Sequence, residues 1–264
     1  MRDDFIFDGR YASEYGLMMC DFNSSSDDSM IVSDYTYDTF IPGNSDRNYF
    51  TASSFSDVLT TKIQVCIVDQ CQIRSITDYD IEEIAKWLCR EDGYHRFAFI
   101  NNDRSNDVEY NAKVSINKIK LINDIYGLEL TITTDSQYGF TKIKNSYSLI
   151  SNREVLIKNH SAKSGGIFPE IQLTCKESGN YQLSFRFGQY SDVLKIQNCS
   201  VGEVITISNM HVISSSISEH DIYNDFNYVF PMIRSTFYDN KNYIQSNLSC
   251  DFTMVYESRR KVGI

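Results

Sequence analysis

The sequence predicts a mainly β protein, a β-rich α+β chain of two domains with one helix in the first. Three observations carry that expectation. Apolar and polar residues alternate with period 2 in segment after segment, as in strands with one buried and one wet face. Only Thr77–Arg90 shows the three- and four-residue apolar spacing of a helix. With 42% hydrophobic and 13% aromatic residues and only 3 Pro in 264, the chain has the side chains for a packed core and lacks a disordered composition.

The elements follow in chain order. Ser, Asp, Asn and Tyr dominate Asn23–Asn48, which reads as a long loop or extended arm. Ile63, Val65 and Ile67 alternate with Lys62, Gln64 and Cys66 in a first clear strand. Thr77 and Asp80 are spaced to satisfy each other's backbone N–H groups, a capping box opening the helix. Ile81, Ile84, Ala85 and Leu88 form its apolar stripe, Trp87 flanks that stripe as a core anchor, and Gly93 is expected to close it. A strand follows over Phe97–Ile100. Between Ile116 and Ile119 the apolar parity slips by one, which predicts a bulge or bend in that strand.

Leu128, Leu130 and Ile132 alternate with Glu129, Thr131 and Thr133. The polar stretch Lys144–Arg153 then reads as the domain boundary, giving domains 1–145 and 146–264. In the second, Ile171–Cys175, Tyr181–Phe187, Ile205–Ile207 and Phe252–Tyr256 are strands, with Tyr181, Leu183, Phe185 and Phe187 on one inward face. The last strand is expected inside this domain or packed back on the first.

Charge and motifs narrow the function. Twenty-five Lys+Arg against 35 Asp+Glu leave a net charge of −10, which argues against a nucleic-acid reader that must displace counterions from phosphates. No apolar run reaches the length of a membrane-spanning helix. The acidic start, Asp3-Asp4, lacks the basic-then-apolar pattern of a secretory leader, so synthesis in the cytoplasm is expected. Seven scattered cysteines fit reduced thiols, and Cys66 and Cys71 have no second pair to complete a zinc site.

Asp103–Asp107 has the acidic spacing of a calcium loop, but Val108 and Val114 stand where an EF-hand needs Gly and Glu. His95, His160 and His211 lack metal-ligand spacing. His220 beside Asp221 is the nearest approach to a base and its orienter. Sequence alone therefore assigns no catalytic, cofactor-binding or metal residue and no cofactor.

Several segments in order resemble the distal tail proteins of bacteriophages infecting Gram-positive bacteria. They are Phe5–Gly9 with Ser13–Leu17, the helix Thr77–Arg90 with Tyr94–Phe97, and Gly127–Thr131 leading to Thr134–Phe140. The second half adds Gly165–Ile171, Gly202–Ile207, Asp225–Pro231 and Val255–Gly263. The family often has Pro where this chain has Gln137. The resemblance implies a structural, non-enzymatic virion protein of the tail tip or baseplate. Its amino-terminal domain would form a hexameric ring, and a carboxy-terminal galectin-like β-sandwich would project from it. Implied partners are the tail tube protein, the tail-tip hub and the tape-measure protein, with DNA passing through the channel without specific binding and no membrane contact. The alternative is a carbohydrate- or host-receptor-binding β-sandwich accessory of the tail.

Overall fold

A computed structural model describes residues 2–22, 35–43, 47–55, 58–69, 72–101, 108–208 and 211–262. It is mainly β, with 58% of residues in strands and 8% in helices. The chain divides into two compact units, residues 1–140 with 261–264, and residues 141–260.

The first unit holds β1 (Arg2–Phe7), β2 (Arg10–Tyr11), β3 (Leu17–Cys20), β4 (Tyr35–Phe40), β5 (Tyr49–Phe55) and β6 (Thr60–Asp69). It continues with β7 (Gln72–Arg74), helix α1 (Asp78–Leu88), β8 (His95–Asn101), β9 (Tyr110–Leu121) and β10 (Asp124–Thr134). An eight-stranded sheet runs in the order β2-β1-β8-β9-β10-β6-β3, with β7 also beside β6. One core gathers Phe5, Phe7, Val65, Phe97, Leu128, Leu130 and Ile132 from the strands with Ile84, Trp87 and Leu88 from α1.

Local chemistry fixes the helix. The Thr77 hydroxyl accepts from the Asp80 N–H at 3.2 Å, and the Asp80 carboxylate accepts from the Thr77 N–H at 2.9 Å. Arg74 grips the same carboxylate at 2.8 and 2.9 Å and holds its pKa well below the usual range. Trp87 lies parallel to Tyr15, with centroids 4.3 Å apart, and to Phe5 at 5.8 Å; its indole N–H donates to the Phe7 carbonyl at 3.0 Å. The indole thus buries its rings and satisfies its only donor. Gly93 does not close the helix: Cys89 caps it, its N–H donating to the Ala85 carbonyl at 2.8 Å, and Gly93 lies further on with φ +126°.

Two further expectations are corrected. The bulge is on β10, not β9: Ile125 faces Lys120 and Gly127 faces Ile119, leaving Tyr126 as the extra residue. The ring of Phe22 lies where a side chain at position 127 would begin, so the missing side chain of Gly127 leaves room for that ring. Part of the expected loop at 23–48 is instead paired, β4 with β5, as a two-stranded sheet of its own. Residues 23–34 and 44–46 lie outside the described residues.

The second unit contains β11 (Gly139–Leu149, entering from the first unit), β12 (Val155–Lys158), β13 (Gly165–Ile167), β14 (Glu170–Cys175), β15 (Gly179–Phe187) and β16 (Tyr190–Cys199). After these come β17 (Val204–Ile207), β18 (Ile213–Ser215), the one-turn helix α2 (Ile222–Asp225), β19 (Ile233–Ser235), β20 (Lys241–Ser246) and β21 (Cys250–Arg260). A five-stranded sheet, β11-β21-β14-β17-β18, and a four-stranded sheet, β12-β20-β15-β16, contribute to one hydrophobic core. Phe185 of one meets Phe252 of the other at 6.0 Å, the arrangement of a β-sandwich. Tyr181 is fully buried, and its single O–H is shared between the Glu177 and Ser249 carbonyls, 3.0 and 2.9 Å away.

The boundary expected at 145/146 falls inside β11, because the polar stretch is an alternating strand. Ile143 and Tyr147 pack on the core while Lys142, Lys144, Ser146 and Ser148 face out. The last strand, β21, lies between β11 and β14 within the second unit. Helix α2 was not legible in the sequence, since one turn is too short for a periodic pattern.

Candidate functional site

The residues weighed for chemistry separate in space. His95 places its two ring nitrogens 3.4 Å from Asp8 and 2.9 Å from Asp92, beside Arg90, in a small charge network. His211 packs edge-on between Phe168 and Phe230, with centroids 4.4 and 4.6 Å away. His160 is exposed in a loop. Tyr181, Leu183, Phe185 and Phe187 are core residues, as their alternation indicates. Asp103–Asp107 and Cys71 lie outside the described residues. The other six cysteines are unpaired, with Cys66, Cys175, Cys199 and Cys250 buried and Cys89 exposed.

His220 does not pair with Asp221, whose carboxylate accepts from Asn224 instead. Its Nδ1 faces Glu203 at 2.5 Å and its Nε2 faces Asp225 at 3.2 Å. Glu203 is a fully buried carboxylate, also accepting from the Ser215 hydroxyl at 2.6 Å and the Ser200 N–H at 2.9 Å. Burial works against charge on both groups. The hydrogen bond and charge of Glu203, with Asp225, nevertheless raise the imidazole's pKa, and the same bond with Ser215 and Ser200 lowers that of Glu203. Both ring nitrogens are occupied by carboxylates and the serine donates to Glu203, so this group has no base free to activate a nucleophile. It ties the β17–β18 hairpin to α2.

What the first unit does present is an unpaired strand edge and exposed apolar side chains. Beyond Ala112, β9 leaves β8, and among the described residues no strand pairs its second edge from Lys113 to Leu121. Lys113, Lys118 and Lys120 fall along that stretch, the residue type that keeps open edges from random pairing. At the tip of the β9–β10 hairpin, Leu121 is 64% and Ile122 91% exposed, and Ile122 has φ +61°. A β-branched side chain in the left-handed region is strained. The β4–β5 sheet exposes Tyr37, Phe40 and Tyr49; a lone two-stranded sheet is marginal in water without a surface to pack on. Periodicity could not single these residues out, because an exposed apolar residue carries no pattern of its own.

Comparisons with known proteins find both similar folds and a family. Among solved structures, the Dit protein of phage SPP1 matches with a TM-score of 0.66 and 10% identity over 97% of this chain and 98% of that one. Its description calls it a paradigm of the hub adsorption apparatus in phages infecting Gram-positive bacteria. The activated baseplate of phage P2 matches at a TM-score of 0.48 and 9% identity, over 98% of each chain. No curated protein sequence matches. Residues 1–136 match a phage tail protein N-terminal domain and residues 138–256 a phage tail C-terminal domain. The chain belongs to this family of phage tail proteins.

Proposed function

We propose that this chain is the distal tail protein of its virion, a hexameric ring joining the tail tube to the tail-tip hub or baseplate around the DNA channel. The observation that carries the reading is the match of both halves, in order, to the amino- and carboxy-terminal domains of a phage tail family. The first unit makes the ring contacts, and the second is a galectin-like sandwich at the periphery. The open edge of β9, the strained Ile122 tip and the exposed aromatics of β4–β5 support this division, since a closed ring buries apolar residues and protects strand edges without leaving a growing end. The ring contacts the tape-measure protein in its channel and lets DNA pass without a specific site. It performs no catalysis.

Light scattering and electron microscopy of the purified chain, alone and with tail tube protein, test the reading. Six-fold rings are expected. Rings of another symmetry, or a monomer within imaged tails, would refute it. Dilute monomer alone would not, because closure depends on concentration and partner.

A further inference from the structure

The tip of the β9–β10 hairpin is built against local preference. Leu121 pairs with Asp124, so Ile122 and Asn123 make a two-residue turn. Hairpins give the first of those places to Asn, Asp or Gly, because φ is positive there. This chain instead holds a β-branched residue at φ +61° and leaves it 91% exposed, beside Leu121 at 64%. Folding of the unit gains nothing from an isoleucine in that place.

A hollow of matching character lies elsewhere on the same sheet. Tyr11, Ile6 and Ala98 stand side by side across β2, β1 and β8, on the face turned away from Phe5 and Phe7. With Gly9 they line an opening of about 520 Å³, within the size range of apolar binding pockets. Gly9 has φ +77° and nothing within 4 Å of where a Cβ would stand, which leaves the opening clear on that side. Arg96 and Glu109 flank it, their charged groups 3.7 Å apart. The hairpin tip carries the complementary margin. Lys120 and Asp124 bracket it, both exposed and without an ion-pair partner among the described residues. The tip cannot fill the hollow of its own chain. Strand β9 pairs with β8 only as far as Ala112, opposite His95, and from there to Leu121 it runs on for about 30 Å.

We propose that the Leu121–Ile122 tip of one copy of this chain seats in the Tyr11–Ile6–Ala98 hollow of the next. A second copy is the occupant because knob and hollow are both apolar, carry opposite charges at their margins, and lie too far apart to meet within one chain. Lys120 approaches Glu109 and Asp124 approaches Arg96 around the buried side chains. Two different patches joined in this way make a head-to-tail contact, which repeats from copy to copy and either closes or grows. Closure of that contact into a ring rests on the function proposed above.

The test uses two variants of the full chain, each lacking one half of the contact: Ile122→Asp on the knob and Tyr11→Asp in the hollow. Both residues are exposed, so both variants should keep the parent's circular dichroism. At concentrations where the parent assembles, with tail tube protein added where the parent needs it, each alone should associate about tenfold or more weakly by light scattering and electron microscopy. Mixed, a chain with an intact hollow meets a chain with an intact knob, and the pair should form one-to-one dimers that grow no further, which a two-fold symmetric contact cannot give. Lys120→Glu and Glu109→Lys should each weaken association and, combined in one chain, restore it. Parent-like assembly by either aspartate variant, no dimer in the mixture, or no rescue by the charge exchange would overturn the contact. Six-fold rings that survive the substitutions would overturn it while leaving the ring reading intact. Assembly through this contact into another symmetry would keep the contact and refute the six-fold ring, and a parent that never self-associates would overturn both.

Discussion

Replacing His220 by alanine should cost the second unit about 3–5 kcal/mol, the usual effect of removing one partner from a buried ion pair. The His220 side chain is 5% exposed and that of Glu203 not at all. After the substitution Glu203 keeps its bonds from Ser215 and Ser200 but has lost its counter-charge. Such a loss consumes a large part of a domain's stability of about 5–15 kcal/mol. The pH dependence follows from the two shifts. His220 has a raised pKa, so its contribution is complete below the unfolded value of 6.5 and fades as pH rises through the higher folded value. Glu203 has a lowered pKa, so its contribution is present above 4.5 and is lost as pH falls through the lower folded value. The difference between parent and variant should therefore be greatest between about pH 5 and 6.5 and shrink on the alkaline side. Urea unfolding followed by circular dichroism across pH 4–9 reads the cost, and hydrogen exchange over residues 200–226 locates it. A penalty under about 1 kcal/mol, or one flat across that range, would show that the triad is not a buried charge clamp.

Three other outcomes are expected. Ile122→Asn should stabilise the isolated chain by about 1 kcal/mol by relieving left-handed strain, yet weaken its assembly, as urea unfolding and light scattering together would show. Gln137 is buried, and neither amide atom has a hydrogen-bond partner among the described residues, so Gln137→Leu should raise the unfolding midpoint, with a gain of about 1–2 kcal/mol; a loss would mean that the amide has a partner such as water. All seven cysteines should titrate as thiols after denaturation without reductant. In the native chain the exposed Cys89 should react ahead of Cys250, whose pKa burial pushes up to about 11.

The fold was legible wherever one face of an element is buried. Leu128–Ile132 and Tyr181–Phe187 alternate because water lies on one side and core on the other, and the helix declared itself by its stripe and its Thr77–Asp80 cap. Legibility failed where that asymmetry is weak. Strands β4 and β5 form a sheet with no element of the larger sheets, so their Ser-, Asp- and Tyr-rich sequences read as a loop. At 144–153 lysine, asparagine and serine hid a strand whose inward residues are few and spaced, and the boundary read there falls inside that strand. The parity slip at Ile116–Ile119 marked no bulge, since pairing runs unbroken from Ile119 to Ala112 and the one irregularity lies between Ile125 and Gly127 on the partner strand.

The candidate site was less legible for a different physical reason. Catalytic sites announce themselves by residue types that must meet at fixed spacing; an assembly surface needs only exposed apolar groups and unpaired edges, which any sequence can carry anywhere. Ile122 becomes informative only with its φ angle and exposure, and the β9 edge only once β8 is seen to leave it at Ala112. The one apparent catalytic hint failed for the same reason in reverse. His220 and Asp221 are neighbours in sequence, but the chain turns into α2 immediately after them, and the carboxylates that reach the imidazole come from positions 203 and 225. What looked like a base and its orienter is a charge buried between two others, held there by folding and spent on folding.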